Sequence, residues 1–322
     1  MENQKGGSIV VQAQAPSRIS LFGGGTDLPS YSQRFGGIVI SLAINIYSHV
    51  KLCTEDNLFN LGGSVFPYGE DPSLAYSILT NANIGSGHHS KIETSFDGLI
   101  GAGLGSSASF SVALLAAIKR SKDERIENRT KLAQEAWMEE NKMGWFGGKQ
   151  DQVAAAHGGL NVITFGKNIE LAGFNRMIGD NLLQYLHLFY TGGKRDSYKI
   201  QRKLEKLSPD KIHYLNQLKD IAIIGQKALF DGRMELVGKL LHASWEAKKG
   251  LGVSNEKIDR IYEKGKKAGA IGGKLLGAGE SGYMVFFVPP QKKEKFLEEM
   301  IKIHLERVDF EVDYQGVSTR IL

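Results

Sequence analysis

The stretch GAGLGSSASFSVALLAAIKR, residues 101–120, constrains the fold more than any other part of the chain. Gly101, Gly103 and Gly105 alternate, and Ser106, Ser107 and Ser109 follow at the mouth of an apolar run. Glycine tolerates left-handed backbone, so the chain can turn sharply here and come close to another group. The apolar run suits a helix and falls short of the roughly 20 residues of a membrane span. A helix opening at Ser106 or Ser107 leaves its first N–H groups without partners and carries partial positive charge at that end, which suits phosphate. The serine hydroxyls can bond phosphate oxygens or ligate Mg2+. The same residues also fit a capped helix after a flexible turn. No Lys-Ser or Lys-Thr closes the loop, so it is not a Walker A sequence.

Around this helix the pattern alternates. Residues 9–66 hold β-branched runs broken by glycine clusters, which predicts a β-rich opening. A second helix is predicted from about Glu127 to Met143, with Leu132, Ala136 and Met143 on one side. YLHLFYTG reads as a buried strand, and charged amphipathic helices follow from about Ser197 to Gly250. The last part reads helix, glycine turn (GGKLLGAGESG), strand (YMVFFVPP), helix and a terminal strand FEVDYQ. The expected fold class is α+β, divided near residue 180 into domains 1–180 and 181–322.

GAGESG matches G-x-G-x-x-G as a string, but it follows a helix and opens a strand, the reverse of a dinucleotide fingerprint. In APSRISLFGGGTD, Arg18 lies among apolar strand neighbours, so it needs an anionic partner unless it faces solvent on an edge. The glycine bend after it delivers Asp27. In EAWMEENKMGWFGGKQDQVAAAHGG, helical spacing puts Glu139 beside Leu132, Ala136 and Met143, while Glu140 turns away as a solvated charge. Asp151 follows the helix-breaking Gly147 and Gly148. Together Glu139 and Asp151 suggest a Mg2+ ligand and a catalytic acid or base.

These clusters together resemble the GHMP kinases, named for galactokinase, homoserine kinase, mevalonate kinase and phosphomevalonate kinase. Three motifs stand in that family's order: APSRISLFGGGTD, GAGLGSSAS and LLGAGESGYMVFF. The resemblance implies a ribosomal protein S5 domain 2-like N-terminal domain and a ferredoxin-like C-terminal domain, with ATP and Mg2+ bound in the cleft between them. It implies that Gly101, Gly103, Leu104, Gly105, Ser106, Ser107, Ala108 and Ser109 form the ATP phosphate loop. Ser107, or alternatively Ser106, and Glu139 would ligate Mg2+. Asp151 would be the catalytic aspartate, with Arg18 beside the reacting hydroxyl. Gly24, Gly25, Thr26, Asp27, Gly148, Lys149, Gly277 and Gly279 fall on the substrate side.

Galactokinases carry Gly-Glu-His-Thr-Asp where this chain has Gly23, Gly24, Gly25, Thr26 and Asp27. The segments LFGGGTD, GGKQDQ and TGGKRDS resemble instead the D-glycero-D-manno-heptose 7-phosphate kinases. Lys194 and Arg195 would then hold the terminal phosphate of the substrate. Glu280 departs from the small residues usual in the third motif and brings a negative charge near a site for anions.

The expected partner is a small sugar or sugar phosphate. A net charge of +5 raises nucleic acid as a rival, but the lysines are interleaved with Glu and Asp in the manner of solvated helix faces. Neither a membrane nor a nucleic acid is expected, and the location is expected to be cytoplasmic, because the polar start MENQKGG has no apolar signal region behind it. A homodimer is compatible with the sequence. The single cysteine, Cys53, excludes an internal disulfide and is expected to be buried. His88 and His89 are expected in a polar loop without a third metal ligand.

Overall fold

The computed structural model describes residues 9–56, 72–82, 88–145, 147–193 and 206–322. Its first layer is a six-stranded sheet in the order β10-β1-β2-β4-β5, with β3 paired to β2 as well. These strands are β1 (Ile9–Phe22), β2 (Gly37–Asp56), β3 (His88–Phe96), β4 (Leu160–Phe165), β5 (Ile169–Gly173) and β10 (Ser318–Ile321). β1 starts with alternating burial and ends wholly buried. Its first half has one face on the core, and its second half is covered on both faces.

Helices α1 (Pro29–Phe35), α2 (Pro72–Asn81), α3 (Ser106–Ser121), α4 (Arg129–Lys142), α5 (Gln150–His157) and α6 (Arg176–Leu183) accompany this sheet. The apolar run of α3 is buried from Ala108 to Ile118 and packs with Val11, Val39, Val50 and Leu52 of the strands. Helix α4 opens on Asn128, whose side chain accepts the Lys131 N–H.

The second layer is an antiparallel sheet in the order β7-β8-β6-β9, the order of a ferredoxin-like domain. Its strands are β6 (Leu186–Tyr190), β7 (Gly272–Leu275), β8 (Tyr283–Phe287) and β9 (Glu306–Val308). Helices α7 (Pro209–Phe230), α8 (Met234–Lys249), α9 (Glu256–Ala268) and α10 (Lys293–Lys302) pack with it. An apolar cluster joins the layers, with Ile19, Ile40 and Leu42 of the first against Leu188, Val285 and Phe287 of the second. Among the described residues, no helix is long and apolar enough to cross a membrane.

Several expectations need correction. FEVDYQ is not a strand: Val312 makes one bridge to Ile44, and Asp313 then turns the chain by accepting the N–H groups of Gln315 and Gly316. The chain instead ends in β10, which pairs with β1, so the sheet of the first layer draws on both sides of residue 180. His88 and His89 open strand β3 rather than lying in a loop. Cys53 is only partly buried on β2.

Candidate active site

The start of α3 carries no side-chain cap. Gly105, at the N-cap position, is left-handed at φ 81°, and the first bond of the helix runs from the Ser109 N–H to the Gly105 carbonyl at 2.9 Å. Among the described residues no protein acceptor meets the N–H groups of Ser106, Ser107 and Ala108. The carbonyls just before them face β1, where Arg18 Nη1 donates to Gly103 O at 2.7 Å and the Arg18 N–H to Leu104 O at 3.1 Å. Within the expected loop, Leu104, Ala108 and Ser109 have buried side chains. Ser109 Oγ lies 2.7 Å from Ser48 Oγ and donates to the Ser106 carbonyl, so this hydroxyl secures the helix against β2.

Arg18 and Asp151 form the centre. Arg18 Nε donates to Asp151 Oδ1 at 2.7 Å and Nη2 to Oδ2 at 2.6 Å. Arg18 is 4% exposed, and a buried guanidinium needs such a two-point partner. Asp151 lies in the first turn of α5, and a Cβ on Gly105 would come within 3.1 Å of its Oδ2. The carboxylate therefore stands against the uncapped end of α3.

The glycine bend is tied to the same helix. Asp27, 2% exposed, accepts the Gly25 N–H and Gln150 Nε2 at Oδ1, and the Gln150 N–H at Oδ2. It thus caps α5 from a distant part of the chain. Burial, and next the charge of Asp151, raises the Asp27 pKa above the ordinary carboxylate value. A Cβ at Gly148 would collide with the Asp27 carboxylate, which explains that glycine. Thr26, assigned to the substrate side by the sequence, is wholly buried; its hydroxyl bonds Gly23 O and accepts the Ile38 N–H, tying the bend to β2. Lys149 lies with its Nζ 4.2 Å from the centroid of the Trp137 ring, a cation–π contact.

The two adjacent glutamates of α4 part company. Glu139 turns toward α2, where Oε2 accepts from Asn81 Nδ2 at 2.6 Å and Oε1 from Lys142 Nζ at 2.7 Å. Glu140, expected in solvent, is 7% exposed and points the other way. Its Oε2 accepts from Gln152 Nε2 at 3.1 Å, and its Oε1 lies 2.9 Å from Ser111 Oγ, which also lies 2.9 Å from the Ser107 carbonyl. Burial, with Asp151 as a smaller contributor, raises the Glu140 pKa to about 7. The carboxylate beside Asp151 and the Ser107 turn is therefore Glu140, not Glu139.

The third motif meets the loop through a residue that the sequence left unassigned. A Cβ at Gly282 would stand 2.0 Å from the Ala102 carbonyl, which accepts the Tyr283 N–H at 2.9 Å. Gly277 and Gly279 face the second layer instead, Gly277 O accepting from Lys248 Nζ and Gly279 packing on Val253. Glu280 is exposed and left-handed at φ 65°, its backbone held by Val253 O and Asn255 Nδ2. Lys194 and Arg195 lie outside the described residues.

Comparison with known families gives two matches: the GHMP kinases N-terminal domain over residues 73–159 and the GHMP kinases C-terminal domain over residues 226–306. The chain belongs to the GHMP kinases. This GHMP kinase is an ATP-dependent phosphotransferase with an alcohol group as acceptor. It is 29% identical to a D-glycero-alpha-D-manno-heptose 7-phosphate kinase of Campylobacter jejuni, over 96% of this chain and 98% of that protein. It is 24% identical to a galactokinase of Pyrococcus furiosus, over 94% and 96% of the two chains. Its fold matches a D-glycero-D-manno-heptose 1-phosphate kinase structure from Bacteroides thetaiotaomicron with a TM-score of 0.76 at 24% identity, covering 96% and 98%.

Proposed function

We propose that this kinase passes the γ-phosphoryl group of ATP to the anomeric hydroxyl of a heptose 7-phosphate, giving the 1,7-bisphosphate. The observation that carries the reading is the two-point hold of Arg18 on Asp151 beside the uncapped start of α3. Phosphoryl transfer draws mainly on positioning and on charge stabilisation, and free N–H groups at a helix start supply both for the phosphates. Asp151 accepts or orients the proton of the acceptor hydroxyl. Arg18 stays protonated, so it holds that carboxylate and offsets the charge that develops next to it.

The oxygen donors fit Mg2+. Glu140 on α4 and Ser107 on α3 are linked through Ser111, whose hydroxyl donates to the Ser107 carbonyl and bonds Glu140 Oε1; a carboxylate and a serine hydroxyl are the oxygen ligands that hard cations take. Placing Glu140 near Asp151 in a buried setting is unfavourable for two negative charges, which a divalent cation offsets. Glu139 fits less well, since it turns toward α2 and already has a cation, Lys142, as its partner. When bound, Mg2+ neutralises charge on the transferring phosphates.

The heptose 7-phosphate assignment is supported by the match to the Campylobacter enzyme across nearly the whole of both chains, and by Gly24 and Gly25 standing where galactokinases carry Glu and His. The positive net charge suits phosphorylated ligands. A coupled ATP-consumption assay against heptose 7-phosphate, fucose, galactose, mannose and mevalonate tests the assignment. The expected kcat/KM for heptose 7-phosphate exceeds the others by at least about 100-fold. Turnover of an unphosphorylated sugar at equal efficiency would overturn it in favour of the galactokinase-like alternative.

A further inference from the structure

Leu21 is the extra residue of a β-bulge. Ser20 pairs with Ser41 and Phe22 with Ile40, so Leu21 has no partner across β2. A bulge re-aims its strand and leaves backbone groups outside the ladder. The Leu21 carbonyl is met from the other layer, where Lys274 Nζ on β7 donates to it at 3.1 Å.

Lys274 is an expensive choice for that place. It is 1% exposed, and the Leu21 carbonyl is its one hydrogen-bond partner among the described residues. No carboxylate pairs with it among those residues. Burial, and next the charge of Arg18, lowers its pKa to about 7. An apolar side chain of similar length would avoid the desolvation of a buried amine. What only a donor supplies is a hold on Leu21. That residue stands three positions after Arg18, which grips Asp151, and two before Gly23, where the bend toward Asp27 and the start of α5 begins.

We propose that Lys274 is a positioning residue for phosphoryl transfer: by holding the bulged Leu21 carbonyl from the second layer, it fixes Arg18 and the bend at 23–27, and through them Asp151. It touches no reacting atom. The proposal rests on the phosphotransferase reading and is independent of which sugar is the acceptor.

Lys274→Met and Lys274→Arg test it. A small misplacement of reacting groups costs up to about 100-fold, so Lys274→Met is expected to lower kcat by roughly 10- to 100-fold, with the KM for ATP within about twofold. Lys274→Arg, which restores a donor, is expected within about threefold of the parent. Arg18→Lys decides whether the residues act together: in that background Lys274→Met costs less than about threefold, whereas a general loss of folded enzyme gives losses that multiply. If Lys274→Met does not fold, Lys274→Gln, which keeps an N–H donor of shorter reach, enters the same cycle. A kcat for Lys274→Met within about twofold of the parent, or multiplying losses, overturns the proposal.

Amide hydrogen exchange over residues 18–27 without substrate gives a readout that needs no activity, and faster exchange in Lys274→Met is expected. If the parent transfers phosphate to no acceptor yet exchange responds, the kinase reading fails and the positioning role with it, leaving Lys274 a structural brace alone. If the parent is active and neither kcat nor exchange changes, the brace fails alone.

Discussion

A Cβ atom on Gly148 would stand 1.7 Å from Asp27 Oδ2, so the turn before α5 and the glycine bend after β1 are in backbone-to-carboxylate contact. Gly148→Ala is expected to lose about 1–3 kcal/mol of stability through overpacking, and also turnover, because Asp27 can no longer cap the helix that carries Asp151. Thermal unfolding and steady-state rates check this. Adding Asp27→Ala relieves the clash, so the stability losses of the pair sum to less than the separate values.

Asp151→Asn keeps the shape of the side chain and removes the proton acceptor. Turnover is expected to fall by roughly 100- to 10,000-fold while ATP affinity, measured by calorimetry, stays close to that of the parent. Asp151→Ala is the poorer probe, since it removes both acceptors of the buried Arg18 guanidinium where Asn keeps one; either variant takes away the counter-ion, which typically costs about 3–5 kcal/mol. Equal rates in parent and Asp151→Asn would remove the aspartate from the mechanism.

Glu140 and Glu139 separate by metal and by pH. Glu140→Gln is expected to raise the Mg2+ concentration needed for half-maximal activity by about tenfold or more, while Glu139→Gln leaves it within about twofold. The folded pKa of Glu140 is raised to about 7, so between the unfolded carboxylate range and that value the native state binds more protons than the unfolded state. Stability of the metal-free protein therefore falls as pH rises through that window, by at most about 3 kcal/mol from this group, and then levels off. In Glu140→Gln the corresponding slope of melting temperature against pH disappears, and Mg2+ stabilises the parent most above pH 7.

Gly282→Ala tests the contact between the third motif and the phosphate loop. The added methyl would meet the Ala102 carbonyl at a position whose φ of 113° already disfavours a side chain. The expected result is a rise in the KM for ATP of about tenfold or more, with acceptor KM changed less, read from two-substrate kinetics.

Much of the fold was legible because its signals are local: β-branched strands, an apolar run behind a glycine loop, and apolar residues at helical spacing along α4. The two glutamates show where local reading stops. Counting from Leu132, Ala136 and Met143 correctly turns Glu139 inward, but it assumes one buried stripe. Helix α4 lies between α2 on one side and α3 with α5 on the other, so Glu140, about 100° around the helix, is buried too. Lys274 and Gly282 escaped notice for a related reason. Each acquires its meaning from a carbonyl in the other layer, and periodicity carries no trace of such a partner.

The pairing of β10 with β1 has a consequence for how the polypeptide is made. Register partners such as Val11 and Ile321 are separated by nearly the full length of the chain. A ribosome delivers β1 long before the strand that closes its outer edge, so that edge stays open to other strands until β10 has been made. The first sheet is completed only after every strand of the second has been made, and a nascent chain stalled short of β10 presents the unpaired flank of the very strand that bears Arg18.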